Sequence, residues 1–306
     1  MDTLEVSEPK MAIEANKGKK LKVNKRVNMG DAASGTLEIF NSEDLLEVID
    51  KAEEIVKKTK KTSRVNGGES TNELIHSAYL ANNDDVFPEI LKIYVKKQSV
   101  IAEVTYGKGV FWKKVKLEDY QIRFSDLKTK DLPDYVQGGV DSRKLPYEEN
   151  TFDAVVFDPP YMHTPGGTAH NGHQNFENYY QNNAEQDAQI QQEINRDYNG
   201  TPPKYHDLVL DLYYRSAREA FRVLKNKGIY IVKCQDEVCA NKQRLTHIEI
   251  TVELAKYGFI CEDMFIVVRK NKPGVSRIKN QYHARKNHSY FMVYRKVVPK
   301  AKAVKA

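Results

Sequence analysis

Phe152-Asp-Ala-Val-Val-Phe-Asp-Pro-Pro-Tyr161 is the stretch on which the reading turns. Phe152–Phe157 reads as a strand, and the two prolines after it stop it, because proline fixes its backbone and lacks the donor a strand needs. Their stiffness leaves carbonyl oxygens fixed and facing outward. Asp158 adds an acceptor beside them and Tyr161 a flat face. Such a set fits a planar aromatic amine: two acceptors take its two N–H groups while its ring stacks on tyrosine. The plainer alternative is a rigid turn after a strand.

Working outward, strand and helix patterns alternate from about residue 86. A helix over 87–97 precedes an apolar strand over 99–105, and strand-like runs follow near 119–125, 137–141 and 152–157. A helix over 207–225 puts Leu210, Tyr213, Tyr214, Ala217, Phe221 and Leu224 on one face, with Gly228 as its stop. A strand over 229–233, a helix over 245–257 and strands over 259–268 and 289–296 complete the series. This alternation implies a mostly parallel sheet with helices on both faces. Ligands then sit beyond the carboxyl ends of the strands.

Three upstream features fall at such ends. Glu103-Val-Thr-Tyr-Gly-Lys-Gly109 closes the first strand with an acid and a turn. Glycine lets a backbone approach a ligand closely, although Gly-x-Gly also occurs in ordinary turns. No third glycine follows at dinucleotide spacing, which disfavours a nicotinamide site. Asp126 and Asp141 end the next two strands. Together they could hold ribose hydroxyls and an adenine amino group; singly, each also suits a solvated turn.

Composition sets the outer limits. With 306 residues, 40% of them hydrophobic, the chain can bury about 75% of its unfolded surface. It makes one large domain, or one with a small appendage. The apolar runs are far shorter than the ~20 residues of a membrane span, and the N-terminus lacks a secretory apolar core. Three cysteines without a Cys-x-x-Cys pair argue against a disulfide framework or zinc module and suggest a reducing cytoplasm. From Arg269 onward there are twelve Lys or Arg and no acid, against 36 basic and 42 acidic residues before it. That asymmetry suits a polyanionic partner, or a solubilising tail.

The expected organisation is a basic disordered tail over 1–36, a helix and linker over 37–70, a catalytic domain over 71–298 and a basic tail over 299–306. The domain carries insertions near 162–205 and 269–287. The first insertion holds His163, His170 and His173, which have no carboxylate or cysteine to complete a metal set. A mobile loop closing over a base suits them better, and no metal is expected. Residues 181–204 are rich in Asn and Gln and read either as target recognition or as a plain insertion. The second insertion places Arg277, Lys279, Arg285 and Lys286 around Tyr282, a set suited to phosphates and stacking. Cys234 and Cys239 read as core or surface thiols.

Over about residues 86–297 the chain resembles the class I S-adenosylmethionine-dependent amino-methyltransferases that act on nucleic-acid bases, most closely bacterial and phage DNA methylases. The resemblance rests on Glu103-x-x-Tyr106-Gly107-x-Gly109, on Asp141-Ser-Arg-Lys-Leu-Pro-Tyr, on Asp158-Pro-Pro-Tyr161 and on Arg222-Val-Leu-Lys-Asn-Lys-Gly228. Two departures are Glu103 where Asp is commoner and a short following segment carrying Trp112. The resemblance implies an α/β Rossmann-like fold with a mostly parallel seven-stranded sheet. It implies a cofactor site at Glu103, Thr105, Tyr106, Gly107, Gly109, Asp126, Asp141 and Ser142, and catalytic residues Asp158, Pro159, Pro160 and Tyr161. The implied reaction is methylation of a flipped base in duplex DNA, adenine N6 first. Cytosine N4, an RNA or tRNA base, and a catalytically silent nucleic-acid-binding subunit are the alternatives.

Overall fold

The computed structural model describes residues 74–161, 180, 187–201, 203–239, 242–270, 280–284 and 286–298. The chain divides into units Met1–Glu53 and Glu54–Ala306, and every described residue belongs to the second. Both expected tails and the expected helix and linker over 37–70 lie outside the described residues.

Strands β1 (Ala78–Leu80), β2 (Val100–Glu103), β3 (Gln121–Asp126), β4 (Val136–Gly138), β5 (Phe152–Phe157), β6 (Leu224–Cys234), β9 (Phe259–Val268) and β10 (His288–Lys296) form one sheet. Its order is β1-β9-β10-β6-β5-β2-β3-β4. All pairings are parallel except those of β10, which runs antiparallel to both β6 and β9. A separate hairpin pairs β7 (Glu237–Cys239) with β8 (Lys242–Arg244). This is the Rossmann-like class I methyltransferase fold, with eight strands in the main sheet instead of the seven expected. The extra strand is the three-residue β1 at the edge.

Each face of the sheet carries its own core, as a doubly wound sheet requires. On one face, α3 (His206–Val223) and α4 (Thr246–Tyr257) bury Leu212, Tyr213, Ala217, Ile250 and Leu254 against Val155, Phe157, Tyr230 and Val232. On the other, α1 (Asn83–Tyr94) buries Val86, Phe87, Ile90 and Leu91 against Phe111, Trp112, Ala154, Val156, Ile231 and Phe291. The sequence pattern starts α1 at residue 87, yet it begins at Asn83. There the Asp85 carboxylate accepts the Asn82 N–H at 3.0 Å and closes the first turn, while Pro88 lies inside the helix. A short helix, α2 (Ala188–Asp197), stands in the Gln-rich stretch, capped by Asp187.

The carboxyl ends of β2, β3, β4, β5 and β6 face the same sheet edge. Because β10 runs antiparallel, the connection from β9 to β10 opens on that edge too. Among the described residues no helix is long and apolar enough to cross a membrane.

Candidate active site

The turn after β2 is built on Glu103, whose side chain is 2% exposed. One carboxylate oxygen accepts the Thr105 N–H at 3.0 Å and the Thr105 hydroxyl at 3.2 Å; the other accepts Trp112 Nε1–H at 2.9 Å. Burial pushes the carboxyl up to about 8, against the donors that favour its charged form. Glu103 thus shapes the loop from inside, and Trp112, which marked a departure from the family pattern, is its partner. Beyond it the two glycines differ. Gly107 has φ +56° and, beyond its chain neighbours, nothing closer to an added Cβ than the Thr105 carbonyl at 3.8 Å. Gly109 has φ +61°, but a Cβ there would lie 2.5 Å from Tyr106 Cζ. The Tyr106 ring folds over Gly109, and its hydroxyl meets that of Tyr135 at 2.6 Å.

Asp126, at the end of β3, accepts the Gly107 N–H at 2.7 Å on one oxygen and the Lys128 N–H at 2.8 Å on the other. A carboxylate offers about four acceptor positions, so two remain. Asp141 does not end a strand as expected, since β4 stops at Gly138 and Asp141 lies in the loop beyond it; it is also more fully engaged. It accepts Arg143 Nε at 3.0 Å, Nη2 at 2.7 Å and the Arg143 N–H at 2.9 Å, and both side chains are buried. The Ser142 hydroxyl meets that of Ser216 on α3 at 2.8 Å. Tyr180 lies against this group: its carbonyl accepts Arg143 Nη2 at 2.8 Å, and its ring centroid is 5.5 Å from the guanidinium carbon. Burial raises its phenol above the ordinary range, and Asp141 and Asp126 push the same way. Tyr180 thus reaches the Asp126–Asp141 side of the sheet edge.

Asp158 follows β5. Its backbone N–H donates to the Thr105 hydroxyl at 2.6 Å, which ties the Asp-Pro-Pro-Tyr segment to the glycine turn. Its carboxylate lies within reach of the charges of Glu103 and Lys233. Burial pushes its carboxyl up to about 7, and Lys233 pulls it back. Pro159 is buried, and Pro160 and Tyr161 are half-buried. Burial also raises Tyr161, opposed by the charge and hydrogen bond of Arg269. Arg269 in turn donates from Nη2 to Gln235 at 3.1 Å.

Lys233, Gln235, Arg143 and Arg269 carry this geometry, yet only Arg143 and Arg269 fall within stretches the sequence singles out, and neither stands out there as a site residue. Lys233 had a signal: a lysine interrupts the apolar run Ile229–Val232 just before the strand ends. His163, His170, His173, Arg277, Lys279 and Arg285 lie outside the described residues. Lys286 is described, and its carbonyl accepts Gln235 Nε2 at 3.4 Å. Further along this edge, Asp236 accepts Tyr290 Oη–H at 3.2 Å and meets His247 Nδ1 at 2.7 Å. Deeper still, His206 sits between Glu237 at 2.7 Å and Glu249 at 2.6 Å. Among the described residues no cluster of His, Cys, Asp and Glu could hold a metal ion, and the cysteines there are free thiols.

No family model matches the chain, and no curated protein matches it. Solved structures do. One is a candidate DNA modification methylase from Thermus thermophilus, complexed with S-adenosyl-L-methionine. It is 22% identical over 54% of this chain and 57% of that one, at a TM-score of 0.31, so the chain spans little more than half its length. A second is 1,6-didemethyltoxoflavin-N1-methyltransferase from Burkholderia thailandensis, with its substrate and S-adenosylhomocysteine bound. It is 11% identical over 88% of this chain and 93% of that one, at a TM-score of 0.42. A third is a SAM-dependent methyltransferase from Methanosarcina mazei, 12% identical over 69% of this chain and 98% of that one, at a TM-score of 0.39. Likenesses this distant say nothing about substrate.

Proposed function

We propose that this protein transfers a methyl group from S-adenosylmethionine to the exocyclic amino group of a base in duplex DNA, adenine N6 first. The observation that carries the reading is the 2.6 Å hydrogen bond from the Asp158 N–H to the Thr105 hydroxyl. It joins an acceptor-rich segment, whose two prolines lack backbone donors and which suits an aromatic amine, to a glycine turn suited to a nucleoside cofactor.

The residues fit that cofactor. Gly107 leaves its Cα face open, and Asp126 keeps two acceptor positions for ribose hydroxyls. The Asp141 carboxylate is largely committed to Arg143, so its part is to fix the local backbone and the Arg143 fork beside the adenine end. Tyr106 acts by covering Gly109 and Glu103 by holding the turn; Ser142, bonded to Ser216, contributes through its backbone.

When bound, the cofactor supplies an electrophilic sulfonium methyl. The protein's task is to present a nucleophile. An adenine amino nitrogen is a poor one, because its lone pair is delocalised into the ring. The Asp158 carboxylate and the Pro159 carbonyl accept its two N–H groups and favour a pyramidal nitrogen with an available lone pair. Holding it in line is worth up to ~7–11 kcal/mol of effective molarity. In a duplex the base must first leave the stack, at a cost of a few kcal/mol. Stacking on Tyr161 returns ~1–3 kcal/mol. Arg269 steadies that ring, and the basic connection from β9 to β10 supplies phosphate contacts on the same edge.

The test is transfer of labelled methyl to duplex DNA, tRNA and small heterocyclic amines in parallel. The reading expects duplex DNA to be labelled fastest. Preferential labelling of tRNA or of small amines would replace it.

A further inference from the structure

Lys233 is buried in the middle of the sheet. In the parallel pairing of β5 with β6, Phe157 stands opposite Val232, so Lys233 comes level with Asp158 on the neighbouring strand. On its other side Lys233 is paired with Phe291 of β10. Its side chain is 0% exposed, and its Nζ lies 3.8 Å from the centre of the Phe291 ring. Among the described residues that Nζ has no hydrogen-bond partner. A lysine is almost never buried in this way without a reason.

The groups around it supply one. The charges that act on it are those of the Asp158 carboxylate just after β5, the Cys234 thiol of its own strand and the Arg269 guanidinium just after β9. On its own face, α1 and the turn after β2 contribute Phe87, Phe111 and Trp112, which are apolar apart from the indole N–H that Glu103 takes. Glu103 in turn feels the charge of Asp158. Asp158 is therefore the group whose charge an ammonium at this position favours, and the Phe291 face stabilises that ammonium where no hydrogen-bond acceptor does.

We propose that Lys233 is a positioning residue for Asp158: its buried ammonium, held on Phe291, keeps the Asp158 carboxyl deprotonated, so that both oxygens accept and neither presents a proton to the target amine. This rests on the function proposed above and assigns that site an electrostatic partner. Burial pushes Asp158 up to about 7 and Lys233 down to about 7, each drawn back by the other's charge. The working state of Asp158 is thus set where one neighbouring charge decides it.

The test replaces the charge and keeps the bulk. Lys233→Met should move the acid limb of the kcat profile up by about 1–3 pH units, the range for loss of one close opposite charge. The rate should return toward wild type at high pH. Phe291→Leu, which leaves the lysine in place but removes the ring, should move the limb in the same direction by less. A second readout needs no turnover. Difference infrared titration of the Asp158 carboxyl, identified by its loss in Asp158→Asn, should shift upward in Lys233→Met. A uniform fall in kcat at every pH, with the carboxyl titration unmoved, would overturn the proposal. If wild type methylates no base at all, the proposed function fails, while the infrared titration still decides whether Lys233 sets the charge of Asp158.

Discussion

Gly107 and Gly109 sit two residues apart in one turn with nearly equal φ of +56° and +61°, yet substitution should injure different properties. A methyl group at Gly109 would strike the Tyr106 ring, 2.5 Å from Cζ. The left-handed backbone adds about 1–2 kcal/mol for a residue with a Cβ. Displacing Tyr106 from its edge contacts with Phe124 and Tyr135 costs a further ~0.5–1.5 kcal/mol per aromatic pair. Gly109→Ala should therefore destabilise by roughly 2–5 kcal/mol. At roughly 2–4 °C per kcal/mol for a domain of this size, Tm should fall by roughly 4–20 °C. Gly107→Ala meets only an ordinary contact, the Thr105 carbonyl at 3.8 Å, and carries just the backbone cost of ~1–2 kcal/mol. Its methyl, however, stands on the face assigned to the cofactor. Affinity for S-adenosylhomocysteine should fall about tenfold or more, or ~1.4 kcal/mol. Thermal unfolding and titration calorimetry on both variants separate the effects, and Tyr106→Ala provides the cross-check. In that background Gly109→Ala should cost only its backbone strain. An undiminished cost there, or a Gly107 variant that loses stability but no affinity, would refute this division of roles.

Two further outcomes follow from the same geometry, and a third from the basic sequence between β9 and β10. Asp158→Ala should abolish methyl transfer while affinity for S-adenosylhomocysteine stays within about threefold, since the role proposed for its carboxylate is to bind the target amine and not the cofactor; calorimetry and single-turnover rates check both halves. Burial opposes a charge on His206, but its bonds to Glu237 and Glu249 hold its pKa above 6.5, so its contribution is full below that pH and fades as pH rises through the raised value. The Tm gap between wild type and His206→Gln should accordingly be widest at acid pH, and a gap independent of pH would count against a charged His206. Replacing Arg277, Lys279, Arg285 and Lys286 together by Ala should flatten the salt dependence of duplex binding by up to ~3–4 units, at ~0.9 per phosphate contact on B-DNA, with cofactor affinity unchanged.

The parts of the fold legible in the sequence are those with long periodic patterns and clear stops. Phe152–Phe157 and Phe259–Val268 run as expected; α3 stands where expected but buries Val209, Leu212, Tyr213, Ala217, Ala220 and Val223, with Leu210, Tyr214 and Phe221 half-buried, and it stops at Val223, because Leu224 already opens β6 and Gly228 lies inside that strand. The elements missed have little to read. Strand β1 and the β7–β8 hairpin are three residues each, and α2 buries only Ile190 and Ile194, four apart, in a polar stretch. In the site, sequence spacing brings out Glu103, Asp126, Asp141 and Asp158 but not what they touch. An acid at or just past a strand end looks alike whether it awaits a ligand, as the spare acceptor positions of Asp126 allow, or is held by an arginine two residues on, as Asp141 is in the loop after β4. Likewise, nothing linear says that a lysine seventy-five positions after Asp158 lies level with it, because that depends on the register of β5 with β6.

Identification of the modified nucleoside tests the central claim most directly. Duplex DNA would be incubated with the protein and labelled S-adenosylmethionine, digested to nucleosides and resolved by mass, with Asp158→Ala in parallel. The account predicts label in N6-methyldeoxyadenosine with wild type and none with the variant. Label in a ring-carbon-methylated base, or equal labelling by the variant, would contradict it.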